Sequence, residues 1–185
     1  MTLLSACQSA SLRLIGRKPT TFFSSTQPFE QEIVDLANEA ADDIAESHDW
    51  QALTKLHLIT GDGTNIGHDL PTDYSRMLVK GDVHSPDWTT WRYTPARDLD
   101  QFLDFQNGLS IARPGSWILL GGQMQFWPIL QNAENAQFYY ISKKHRPDAD
   151  SGALKAAFTK DGDTFVLDER LLTLALIWRW RAKAS

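Results

Sequence analysis

The sequence predicts an α+β protein: a small helical bundle assembled from both ends of the chain, with a β-rich insertion between them. Three observations lead there. Apolar residues recur at helical spacing over residues 2–15 and 28–47. From Leu56 the period shifts towards two, and short apolar runs alternate with turn residues as far as Leu167. A last helix, Leu167–Arg181, is then apolar on nearly every side. The boundaries that follow are 1–55 and 167–185 for the bundle and 56–166 for the insertion, with a short helix near 95–106. A chain of 185 residues accommodates one domain, or one domain carrying a sizeable insertion.

In the first segment Leu3, Leu4, Cys7, Ala10, Leu14 and Ile15 make a helical stripe that Gly16 ends. Arg17–Gln27 is a polar connection, and Pro28 suits the first turn of a second helix. There Ile33, Leu36, Ala37, Ala40, Ala41 and Ile44 share one face. Glu30, Glu32, Asp35, Glu39, Asp42, Asp43 and Glu46 make the remainder strongly acidic. Trp50 follows at the junction with the β-rich segment, where a large ring can cover the ends of both elements. It is expected to be structural.

Within the insertion Leu56–Thr60 reads as a strand, Gly61–Gly63 as a turn, and Leu70–Tyr74 as a compact turn or single helical turn. Arg76–Lys80 is a second strand, and Trp88–Tyr93 another aromatic, β-branched run. Pro95 can open a short helix through Phe105. Gly121-Gly122, between Ser116–Leu120 and Gln123–Trp127, signals a two-residue hairpin. Gln137–Ser142 is the next strand, and Ala156–Thr159 with Thr164–Leu167 reads as a last hairpin around Lys-Asp-Gly-Asp.

The closing helix has Asp168 where an N-cap belongs, Glu169 in its first turn, and Arg179, Arg181 and Lys183 near its end. One small core cannot cover a helix that is apolar all round, so some of the burying surface is expected from other chains. Trp178 and Trp180 lie about 200° apart on such a helix. Trp178, in line with Leu171 and Leu174, is expected to pack inside as a structural residue. Trp180 and Arg181, with Arg179 and Lys183, are expected to face a partner, since tryptophan and arginine anchor interfaces best.

Composition narrows the function. A net charge of −5 argues against a general nucleic-acid coat, yet permits an acidic surface past which DNA moves. The single cysteine, Cys7, allows neither an intrachain disulfide nor an all-cysteine metal site. Leu4-Ser-Ala-Cys7 has the look of a lipoprotein cleavage site, but too few residues precede it for a signal segment. Cys7 is therefore expected as a small apolar residue on a helix, in a protein made and used in a cytoplasm. No apolar run approaches bilayer length.

No catalytic or metal site emerges. Ser47-His48-Asp49 has triad residue types, but adjacent side chains cannot converge as a triad requires, and they read as a helix terminus. Asp148-Ala-Asp-Ser-Gly152 lacks the closing acid of a calcium loop and reads as a polar turn. The five histidines show no metal-ligand spacing. Trp88, Trp91, Arg92 and Tyr93 could stack bases, although a core or interface strand is the simpler reading. No cofactor is expected.

The acidic helix Ala37-Asn-Glu-Ala-Ala-Asp-Asp-Ile-Ala45, closely followed by His48-Asp-Trp-Gln-Ala-Leu-Thr54, is the first part of an ordered set. It continues through Leu70-Pro-Thr-Asp-Tyr74, Gly122-Gln-Met-Gln-Phe-Trp-Pro128 and Phe138-Tyr-Tyr-Ile-Ser-Lys143 to Leu167-Asp-Glu-Arg-Leu-Leu and Trp178-Arg-Trp180. Together these pieces resemble the head-to-tail adaptor proteins of tailed bacteriophages, especially short-tailed ones. The resemblance implies a structural virion protein of the head–tail junction, assembled in the host cytoplasm as a ring, usually of twelve copies. It implies binding beneath the portal protein, extension of the DNA channel and a platform for a tail or nozzle protein. Trp180, Arg179, Arg181 and Lys183 would then meet the portal or a neighbouring subunit. Glu32, Asp35, Glu39, Asp42 and Asp43 would face either the DNA channel or the exterior. The alternative is a small-ligand or enzymatic α+β domain with a pocket in the β-insertion, which requires converging polar groups of shifted ionisation.

Overall fold

The computed structural model describes residues 2–88, 92–109 and 115–183. In chain order the elements are α1 (Leu3–Ile15), α2 (Pro28–Glu46), a 3₁₀ turn (Gln51–Leu53), β1 (Thr54–Thr60), β2 (Gly67–Asp69), β3 (Tyr74–Met77) and β4 (Thr94–Pro95). Then come α3 (Leu99–Gln106), β5 (Ser116–Leu120), β6 (Gln123–Trp127), β7 (Asn135–Ser142), β8 (Arg146–Pro147), β9 (Leu154–Lys155) and α4 (Glu169–Lys183). The fold is α+β. The chain divides into two compact units: Met1–Leu53 with Lys143–Ser185, and Thr54–Ser142.

The first unit is built on α1, α2 and α4. Small residues make two of the facing surfaces, Ala6, Cys7 and Ala10 on α1 and Ala37, Ala40 and Ala41 on α2, all fully buried. Without long side chains between them, the helices close on Leu172 and Leu176 of α4. Gly16 ends α1 in the left-handed conformation (φ +72°), a position that favours glycine. Pro28 opens α2 as expected. Glu30 departs from the acidic outer face: it is buried, and one of its oxygens accepts a 2.9 Å bond from Arg17.

Residues 143–166 belong to this unit rather than to the β-rich segment where the sequence places them. Two carboxylates explain why. Asp161 accepts backbone bonds from Phe22 and Phe23 (3.0 and 3.3 Å), tying the α1–α2 connection to this loop. Asp163, fully buried, accepts from the backbone of Ala149 (3.1 Å), Thr159 (2.7 Å) and Lys160 (2.9 Å). The hairpin expected from Ala156–Thr159 and Thr164–Leu167 therefore does not form. The donors of such a ladder go elsewhere: Phe158 N–H to Asn38 Oδ1, Thr159 N–H to Asp163, and Thr164 and Val166 N–H to Pro147 O and His145 O, while β8 pairs with β9.

The second unit holds two sheets, ordered β1-β7-β3 and β2-β6-β5-β4. Their shared core includes Tyr93, Met124, Phe126, Leu130, Ala136 and Phe138. Gly121 and Gly122 (φ +62° and +79°) turn β5 into β6, and both positive angles suit a type I′ hairpin. Leu70–Tyr74 ends in a turn closed by Tyr74 N–H to Pro71 O (2.9 Å). The strand expected over 76–80 begins earlier and stops at Met77, because Leu78–Gly81 folds into a turn. The helix expected from Pro95 starts at Leu99: Asp98 caps it by accepting from Gln101 N–H (2.8 Å), and Thr94–Pro95 pairs parallel with β5. Of the run Trp88–Tyr93, residues 89–91 lie outside the described residues, and Tyr93 pairs with Val83 in an isolated bridge.

Candidate partner-binding interface

Helix α4 begins where Asp168 accepts a 2.7 Å bond from Arg170 N–H. One line of its residues, Leu172, Thr173, Leu176 and Ile177, is buried against α1 and α2. Another, Leu171, Leu174 and Trp178, faces outward at 39, 45 and 69% exposure. The spacing i, i+3, i+7 makes this a continuous apolar stripe about two turns long. Arg170 and Arg181 flank it on α4, and Arg13 lies close by on α1; all three are exposed.

The two tryptophans are therefore placed oppositely to the expectation. Trp178 does not pack inside. Trp180 does: its ring meets Phe29 of α2 edge-on, with centroids 4.8 Å apart. Helix geometry supplies the reason. Trp180 lies four and eight residues beyond Leu176 and Leu172, so the line that fills the bundle carries it inward. Trp178 shares its line with Leu171 and Leu174, and that line points to solvent.

The cations of the last turn also divide. Arg179 reaches α2, pairing with Glu39 (3.1 Å) and Asp43. Lys183 pairs with Glu32. Asp42 accepts from Arg146 (2.8 Å). Of the five acids expected on a face turned to the channel or to the exterior, Glu32, Glu39, Asp42 and Asp43 thus carry partners from their own chain. Asp35 stays exposed. The pairs made by Arg179 and Lys183 face solvent and contribute about 0–1 kcal/mol each, so a partner could exchange them at little cost, whereas Arg146 is buried and stays with Asp42.

Trp50 is half-buried beside the end of α2. Its indole N–H donates to Ile44 O (2.7 Å), one of the carbonyls that the helix terminus leaves without an intrahelical donor, and its ring meets His48 edge-on at 5.3 Å.

Described residues line two surface grooves of note. One, of about 420 Å³, lies between α1 and α4 and is lined by Ser5, Ser9, Arg13, Asp168, Arg170 and Leu174 among others. Ser5 Oγ donates to Glu169 at its edge (2.6 Å). The other, of about 770 Å³, runs between α3 and β5 along Pro95, Leu99, Trp117, Ile118, Leu119 and Leu120. Leu99 and Leu103, one turn apart on α3, are 50 and 52% exposed beside it, and Leu119 and Leu120 are 39 and 43% exposed. Asp98, Asp100 and Asp104 stand around α3, with Arg97 bonded to Asp98 (2.6 Å). The exposed leucines escape sequence reading because α3 is short. In eight residues a helical pattern does not distinguish a core line from an outward one.

The ionisable groups with shifted behaviour serve packing. Burial pushes the Cys7 thiol up to about 12, and Asp161 and Glu169 add to this, so it is no ready nucleophile. Burial raises the Asp73 carboxyl, but bonds from Lys55 Nζ (2.6 Å), Ser142 Oγ (2.7 Å) and Tyr140 Oη (2.8 Å) outweigh it and hold the group well below the usual range. Asp148 organises a polar turn by accepting from Asp150 and Ser151 N–H (both 3.1 Å). Ser47, at the C-terminal end of α2, donates to Ile44 O (2.8 Å), as a helix terminus would. Among the described residues no three of His, Cys, Asp and Glu gather as a metal site, and no helix is long and apolar enough to cross a membrane.

Ionisable groups committed to packing, together with apolar faces left open at the surface, are features of a structural protein that meets other chains. The chain belongs to the SU10 adaptor protein family, which it matches over residues 1–185. It is thus a bacteriophage adaptor, a structural component of the virion. No curated protein matches it.

Proposed function

We propose that this adaptor joins head to tail in a short-tailed phage. In this reading twelve copies form a ring beneath the portal, lengthen the DNA channel and offer a platform to a tail or nozzle protein. It is assembled in the host cytoplasm, off any membrane, and has no enzymatic step and no cofactor. The observation that supports this best is the outward stripe of α4. A lone subunit gains nothing from exposing Leu171, Leu174 and Trp178 on its closing helix, whereas an assembly part needs such a face. Arg181 at the end of that stripe is the cation placed to join it. Arg179 and Lys183 would contribute by exchanging their bonds to α2, and Trp180 by holding α4 in place from inside.

The test is capture by the portal. The purified chain is mixed with the portal ring of its own phage, and the complex is weighed by native mass spectrometry. The expected outcome is saturable addition to a limit of twelve copies per portal. Failure to bind the portal at any ratio would overturn the reading.

A further inference from the structure

We propose that the outward stripe of α4 in one copy docks into the groove between α3 and β5 of a second copy. This deepens the ring reading above and rests on it. Both surfaces are apolar: Leu171, Leu174 and Trp178 on one side, Leu99, Leu119 and Leu120, which line the groove, on the other. A helix presenting anchors at i, i+3 and i+7 to an apolar groove is a recurrent mode of recognition.

Charge then selects the pairing. The stripe is rimmed by Arg13, Arg170 and Arg181, all exposed and, among the described residues, outside any ion pair. Asp168 and Glu169 nearby accept from Arg170 N–H and from Ser5 Oγ and keep their charge, so the three arginines leave this rim positive by one. Among the described residues that line it, the groove carries Asp98 and Asp100 against one cation, Arg97, and Asp104 follows one turn beyond Asp100 on α3. Opposite rims around two apolar centres complement each other, whereas stripe against stripe would bring guanidinium to guanidinium. The outer line of α2 is the other acidic surface that a second copy could offer. It consists of Gln31, Asp35, Glu39, Asp42 and Glu46 and shows no exposed large apolar side chain against which Trp178 could be buried. The groove supplies both terms.

The pairing is heterologous: each copy gives one surface and receives the other. Such contacts propagate head to tail and close into a ring when the rotation allows. This is the interface type that an adaptor ring needs.

The experiment places a photoreactive benzoylphenylalanine at position 178 of the full chain. Equal amounts of isotopically light and heavy protein are assembled on the portal and irradiated, and adducts are mapped by mass spectrometry. Mixed-isotope adducts separate contacts between copies from contacts within one. The expected adduct joins residue 178 of one copy to a peptide within 94–120 of another. Leu99→Glu, at an exposed position lining the groove, should reduce that adduct at least about tenfold. Adducts to the portal, to a tail protein or to another region of the chain would overturn the proposal, as would an unchanged yield in Leu99→Glu. Portal capture is read separately in the same samples, so loss of the ring reading and loss of this contact are distinguishable.

Discussion

His145 and Arg146 show how much one residue pair can set the behaviour of its unit. The Arg146 side chain is wholly buried, lies 5.0 Å from the Phe158 ring centre, and donates to Asn38 O and Asp42 Oδ1 (both 2.8 Å) and to Ala156 O. It joins α2 to the loop that follows β8, which a surface arginine could not do. His145, 2% exposed, lies 3.4 Å from Asp42. Burial, with the Arg146 charge adding to it and Asp42 only partly opposing, lowers its pKa to about 4. Folded, His145 stays neutral where an unfolded histidine takes up a proton, below about pH 6.5. Its contribution to stability is therefore complete above pH 6.5 and is lost as the pH falls from there to about 4. At about 1.4 kcal/mol per pK unit the loss is on the order of 3 kcal/mol. Urea unfolding at pH 7 and pH 4.5 should show it, and His145→Gln should flatten the difference by that amount. His57, also lowered by burial, acts in the other unit and is common to both proteins. Equal pH slopes in wild type and variant would show that His145 is not the source.

At the scale of the element, α4 sets two tryptophans against each other. Trp180 contacts Phe29 and the bundle core, so Trp180→Ala should cost about 2 kcal/mol, less than the about 3–5 of a fully buried site because the ring is only part-covered. Trp178→Ser, at a site 69% exposed, should stay within about 0.5 kcal/mol. Thermal unfolding of the two variants checks this, and the reverse ranking would show that the helix is rotated from the orientation described. The same helix shows what was legible beforehand. Its extent, its cap and the alignment of Leu171, Leu174 and Trp178 follow from period and end chemistry. Its rotation does not. Both candidate lines are apolar, and the choice is made by the alanine surfaces of α1 and α2, which receive Leu172 and Leu176. The helices α1 and α2 and the β5–β6 hairpin were readable because each combines a clear period with a glycine or proline signal. The segment 156–167 departs from its hairpin pattern because its backbone donors go to side chains, Asn38 and Asp163, and to the distant carbonyls of His145 and Pro147. Sequence period carries no trace of such partners. Among the proposed contact residues, Arg181 was found by type and position, while Leu99 needed the structure.

Charge acts at the scale of the whole molecule. The chain is acidic overall at −5, and α2 concentrates acids on its outer line. Bonds from Arg179, Lys183 and Arg146 offset part of that line, so its field is weaker than a count of carboxylates implies. The exposed cations Arg13, Arg170 and Arg181 cluster near one apolar stripe, where a protein contact would consume them. Near the stripe the described residues thus offer only a short basic patch to a phosphate backbone, which gains affinity by releasing one counterion for each lysine or arginine it meets. If the proposed place beside the DNA channel is right, the chain should let DNA slide without holding it. Fluorescence anisotropy with a labelled duplex at low salt should therefore give a dissociation constant weaker than about 100 µM, the feeble end of non-specific binding. Raising the salt should change little, since few counterions are available for release. Micromolar binding that weakens steeply with salt would mean that the three exposed arginines act on DNA rather than on a neighbouring chain, and the acidic line of α2 would then have to face away from the channel.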